Sequence, residues 1–180
     1  MNIPSIAFLR GEAPDQSGRM IADYLGFTDD KWEECHDHMQ WAFPTRTVSR
    51  FNPMAPVIPA DFKFGGDPIV LHNLETLLRL YLRSLGMSYD SATNTIDYTP
   101  QFIMRSFNSL LRPGDHNHLR VSRIIECFNI FNPKVADSIA RWFIFEIAHK
   151  YFGSFSGRNI VFWTAAWQNV ELEDYKSPTT

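Results

Sequence analysis

The stretch PKVADSIARWFIFEIAHKYF, residues 133–152, decides the fold. Pro133 opens it, at a position where a missing N–H costs a helix nothing. Val135, Ile139, Trp142, Phe143, Ile144, Phe145 and Ile147 then recur around nearly the whole helical wheel. A helix that is apolar all round has to be buried, so this one is expected at the centre with its neighbours packed about it. Just upstream, DHNHLRVSRIIECFNIF (residues 115–131) sets Val121, Ile124, Ile125 and Phe128 on one face and predicts the helix that lies beside it.

Working outward, the same period and the same end signals predict five more helices. One covers roughly Ser17 to Leu25. Another starts at Thr28, with Asp29 and Asp30 suiting its positive end, and runs to Pro44 with Trp32, Cys35, Met39 and Phe43 as one stripe. A third starts at Pro68 behind a capping Asp67 and ends at Gly86. The remaining two span about 100–111 and 158–168. Pro53, Pro56 and Pro59 make 45–66 a long irregular loop, and 88–99 reads as a loop or one short hairpin through Asn94. The expected fold is therefore all-α: a single irregular bundle of about seven helices with a long Pro-rich loop. It forms one domain over 1–170, with 171–180 a polar, flexible tail.

The chain has 180 residues, 44% hydrophobic and 14% aromatic with 15 Phe and 5 Trp, enough for one well-filled core. A net charge of -3, with no run of Lys and Arg, gives no strong nucleic-acid signal. Cys35 and Cys127 are too few for a disulfide framework. No apolar run approaches the roughly 18 residues of a membrane span, and no signal peptide is legible. These features point to the cytoplasm, or the nucleus in a eukaryotic host. Phosphate-binding, dinucleotide-binding and hydrolase-elbow motifs are absent from the sequence, as is HExxH.

Polar side chains on apolar faces are the informative ones, because burial costs free energy unless each finds a partner. His36 and Gln40 fall beside the Trp32 stripe. Asn117 points to the core face of its helix, with His116, Arg120 and Arg123 along its flank. Glu146 falls in the densest apolar sector of the central helix and calls for Arg120 or Arg123 as a structural partner. In His36-Asp37-His38 and His116-Asn117-His118 the paired imidazoles point about 200° apart if helical, so neither string chelates alone. One histidine from each can still meet an ion across the interface; the expectation is no metal and no cofactor.

Two segments carry a resemblance. His36-Asp37-His38-Met39-Gln40-Trp41-Ala42-Phe43-Pro44, continuing through Ser49, Asn52, Ala55 and Pro56, and His116-Asn117-His118-Leu119-Arg120-Val121-Ser122-Arg123-Ile124 resemble the conserved domain of the opioid growth factor receptor family. The likeness extends from Phe8 to about Trp167. It implies an all-helical domain in which His36, Gln40, Trp41, Asn52, His116, Asn117, Arg120 and Arg123 belong together as a signature. The family's animal prototype is described as a nuclear-associated receptor for the peptide methionine enkephalin.

Three functions follow. The first is a non-enzymatic binding or regulatory module, with a His/Asn/Arg pocket for a small anionic ligand, a peptide or a protein, and Trp41 and Phe51 as its apolar wall. The second is a structural or protein-interaction domain whose polar cluster only fixes helix packing. The third is a hydrolase or lyase with His36 or His116 as acid/base.

Overall fold

α7 (Asn117–Phe131) packs along α8 (Pro133–Arg141) as the periodicity predicts, and α10 (Gly157–Gln168) lies against both, but the stretch after α8 is not buried all round: Phe145 is 59% exposed, and Trp142 and Ile144 are half-buried. The computed structural model describes residues 3–170. Ahead of this core come α1 (Pro4–Leu9), α2 (Ile21–Leu25), α3 (Asp29–Glu34), α4 (Met39–Ala42) and the long α5 (Pro68–Ser84). Between α5 and α7 stand β1 (Met87–Asp90), β2 (Thr95–Tyr98) and α6 (Phe102–Ser106). After α8 the chain continues without a break through a π-helical turn (Trp142–Ile147) into α9 (Ala148–Lys150), and one 3-10 turn (Phe152–Ser154) leads to α10. Trp32, Trp163, Tyr24, Tyr81, Phe8, Phe43, Phe128 and Phe143 are fully buried and fill the interior.

The expectation of an all-α bundle of about seven helices is overturned. Among the described residues there are nine helices, counting α8 to α9 as one, and a two-stranded antiparallel sheet. Its register pairs Met87 with Tyr98 and Tyr89 with Ile96. Met87, Tyr89 and Ile96 turn inward, and Asn94 takes the left-handed conformation of the turn at φ 55°. This is the hairpin through Asn94, one of the two readings of 88–99; four-residue strands alternate too few times to decide between it and a polar loop. Gly86 joins α5 to this hairpin at φ +78°, and a Cβ there would come 2.5 Å from the Cα of Phe102, so the close approach of α6 requires glycine.

The extra helices have two sources. α1 is six residues long, too short to show a period, yet buries Ile6, Phe8 and Leu9 behind Pro4 at its first turn. The expected helix from Thr28 to Pro44 divides in two. Thr28 does cap α3, its hydroxyl accepting from the Lys31 N–H at 3.2 Å, but Cys35 turns extended at φ -81° and ψ 128°. Arg120 supplies the reason: it donates to the carbonyls of Trp32, Glu33 and Cys35, the groups a continuing helix would have paired with its own N–H groups. The tail 171–180 lies outside the described residues.

Candidate functional site

Arg120 stands at the seam between α3 and α7 and is 7% exposed. Its Nη1 donates to the Trp32 carbonyl at 3.0 Å and to Asn117 Oδ1 at 3.3 Å. Its Nη2 donates to the carbonyls of Cys35 at 2.9 Å and Glu33 at 3.4 Å. All four terminal N–H groups are thereby occupied, and the Glu33 carboxylate lies 3.7 Å away as counter-charge. Asn117 is the hub beneath: it accepts from the Tyr81 hydroxyl at 3.1 Å and donates to both Glu33 oxygens and to Asp115 Oδ1. Every buried polar group of this hub has a partner, which is how such a network earns its place in a core.

The histidines of the signature lie at the solvent edge of the same seam. His36 is exposed, His116 is half-buried, and their rings meet edge to face with centroids 5.3 Å apart. His116 Nε2 is 3.3 Å from Glu33 Oε1, and Nδ1 is 3.8 Å from Asp115 Oδ1. Burial and then the Arg120 charge hold its pKa below the ordinary histidine value, against the pull of the two carboxylates. His38, by contrast, is sealed among Tyr24, Phe27 and Trp32, and burial pushes it down to about 3.

The other four signature residues sit elsewhere, at the foot of the Pro-rich loop. Gln40 donates to the Ser49 hydroxyl at 3.1 Å, and that hydroxyl accepts the N–H groups of Phe51 and Asn52. Arg123 reaches the Phe43 carbonyl and the Thr45 hydroxyl, both at 3.3 Å. Trp41 is buried with its ring edge on Phe8, whereas Phe51 is 80% exposed, so the two form no common wall. The signature is thus two clusters joined through α7, not one ring of side chains.

Glu146 meets neither arginine. It is half-buried and accepts from the Tyr98 hydroxyl at 3.2 Å, because the π turn from Trp142 to Ile147 advances fewer degrees per residue than an α-helix and rotates it off the sector that a 3.6 period assigns. Glu33 holds the place expected for Glu146. Glu33, Asp115 and Tyr81 are the seam residues that sequence reasoning missed. Asp115 alone left a signal, as a helix-start aspartate whose Oδ1 accepts the Asn117 N–H at 2.9 Å.

A second polar cluster adjoins the seam through Cys35. Arg19 pairs with Asp15 at 2.6 Å and with Asp37 at 2.9 Å and donates to the Cys35 sulfur. The Tyr24 hydroxyl donates to Asp15 at 2.7 Å. Burial raises the Asp15 pKa, but these bonds and the N–H groups of Ser17 and Arg19 outweigh it, so the carboxyl ends below its usual range.

Neither of two surface cavities is lined by a signature residue. One, of about 340 Å³, lies between β2 and the π turn. The other, of about 500 Å³, has apolar walls of Ile3, Ile6, Phe62, Phe64 and Ile69 where α1, the end of the Pro-rich loop and the start of α5 converge. At its rim Arg10 donates through Nε to Asp67 at 2.6 Å.

Fold and site together describe a mostly helical domain in which Arg120 and Asn117 bond across the α3–α7 seam, with His36 and His116 at its solvent edge. The chain belongs to the opioid growth factor receptor (OGFr) family, whose conserved region matches residues 18–168. No curated protein and no solved structure matches it. Among the described residues no helix is long and apolar enough to cross a membrane.

Proposed function

We propose that this domain is a non-enzymatic binding module that takes an apolar ligand ending in a carboxylate, such as a peptide C-terminus, in the cavity beneath α1. The observation that carries this reading is the pairing of that apolar cavity, about 500 Å³, with Arg10 on its rim. Its size is in the range of ligand sites, and such sites are apolar with one or two polar groups to orient the ligand. Arg10 bonds Asp67 through Nε and keeps its terminal N–H groups for a bidentate carboxylate contact. The signature arginines are spent differently: the terminal N–H groups of Arg120 are taken by main-chain carbonyls and Asn117 Oδ1. The His/Asn/Arg cluster is therefore read as scaffold and the binding site as the cavity. The family's peptide-receptor description favours a peptide ligand; α1 precedes the matched span, so the cavity is argued from this chain alone.

Fluorescently labelled methionine enkephalin, an apolar-ended peptide with a free carboxylate, is the test probe, with its C-terminal amide as control. Saturable binding is expected, weakened at least about tenfold by Arg10→Ala and by amidation, an amount set by a lost charge-assisted bond. Absence of saturable binding at millimolar peptide, or binding indifferent to Arg10→Ala, overturns the reading.

A further inference from the structure

We propose that Glu33, Asp115 and His116 form a binding site for a divalent cation of the zinc class at the solvent edge of the α3–α7 seam. One ligand atom from each of the three lies within 4.8 Å of the others, close enough for a single ion to touch all three. Elements far apart in sequence make this meeting: α3 supplies Glu33, and the turn entering α7 supplies Asp115 and His116. Beyond the end of α3 at Glu34 the extended Cys35 follows, and the His36 ring stands beside the cluster, 5.3 Å from that of His116.

Three further observations favour an ion over a bare ion pair. First, the Glu33 and Asp115 carboxylates lie together while only Glu33 has an arginine beside it, Arg120 at 3.7 Å, and two like charges this close favour a cation between them. Secondly, His116 Nε2 is shielded from solvent and makes no hydrogen bond although Glu33 Oε1 is 3.3 Å away; a lone pair on that nitrogen, turned to a metal, has a use there. Thirdly, the carboxylates are already oriented from behind. Asn117 Nδ2 donates to both, and Arg120 stands behind Glu33, the kind of outer support that positions metal ligands. Mixed imidazole and carboxylate donors select zinc-class ions over calcium or magnesium, which favour all-oxygen shells.

The test is a Co2+ titration of the full chain followed by visible absorption, then displacement by Zn2+. One Co2+ per chain is expected, with its bands lost on adding Zn2+. Asp115→Asn keeps an oxygen for the Asn117 N–H and so preserves the fold, yet should weaken binding at least about tenfold, as should His116→Ala. His36→Ala, which removes a neighbour and no ligand, should leave one Co2+ bound per chain. Far-ultraviolet circular dichroism of each variant separates a lost ligand from a lost fold. No spectral change with Co2+, bands that survive both Asp115→Asn and His116→Ala, or preferential binding of Mg2+ or Ca2+ each overturns the site. None of these readouts depends on the peptide cavity.

Discussion

The α3–α7 seam and the cavity beneath α1 divide the work of this domain between them. At the seam, Arg120, Asn117, Tyr81 and Glu33 are tied to one another and to the backbone, leaving little for a visitor except a cation at the edge. At the cavity, half-buried Phe62 and Phe64 and exposed Ile69 stand beside Arg10, which is bonded to Asp67 through Nε. The seam carries four of the eight signature residues and the cavity carries none. A motif rich in buried polar residues marks what must be held in one arrangement, because an unpaired buried group is costly, whereas an apolar wall tolerates many residue types and leaves no spelling behind.

Substitutions probe this division in decreasing order of effect. Arg120→Ala strips the partners from three carbonyls and from Glu33, and should cost about 3–5 kcal/mol, as when one member of a buried charged cluster is removed; the midpoint of urea unfolding measures it. A loss under about 1 kcal/mol would mean that the seam is not a lock. Asp15→Asn weakens the charge-assisted bonds to Arg19 and Tyr24 and should cost about 1.5–3 kcal/mol at neutral pH. Because the Asp15 pKa is lowered in the folded state, its contribution is full above the unfolded carboxylate value and is lost as pH falls through the folded one. Wild-type thermal stability should therefore decline on acidification below about pH 4, and Asp15→Asn should flatten that decline. A parallel decline in the variant would remove Asp15 from the account.

Smaller effects sharpen the contrast. Tyr81→Phe deletes one buried hydroxyl while Asn117 Oδ1 keeps Arg120, so chemical unfolding should register about 0.5–1.5 kcal/mol. Arg10→Ala breaks a partly exposed pair with Asp67, a kind of pair that contributes little to stability, and should leave the melting temperature nearly unchanged while weakening peptide binding at least about tenfold. A large stability loss from Arg10→Ala would make that residue part of the scaffold and erase the contrast.

Legibility in the sequence followed length and regularity. α5, α7 and α10 each span three turns or more with an apolar stripe, and their ends carry Asp67, Pro68 and the Gly153–Gly157 turn, so period and caps suffice to find them. α1 is too short for either signal, and the hairpin, offered by Asn94 as one of two readings of 88–99, has strands too short to decide against a loop. The polar outliers on α7 were legible as residues in need of partners, because burying them is costly wherever they go. Which partners they take was not legible: Arg120 meets backbone carbonyls, which are the same at every residue and carry no letter in the sequence.

By itself, then, the sequence determined the predominance of helix, the buried pair α7 and α8, the polar residues that require satisfaction and the family to which the chain belongs. Only the tertiary structure decided where α3 ends, that Glu33 rather than Glu146 faces Arg120, and that the signature separates into two clusters. Those outcomes depend on a guanidinium reaching across from another helix and on a π turn that rotates a side chain off its expected face. Both are long-range or register effects, and a local periodicity has no term for either.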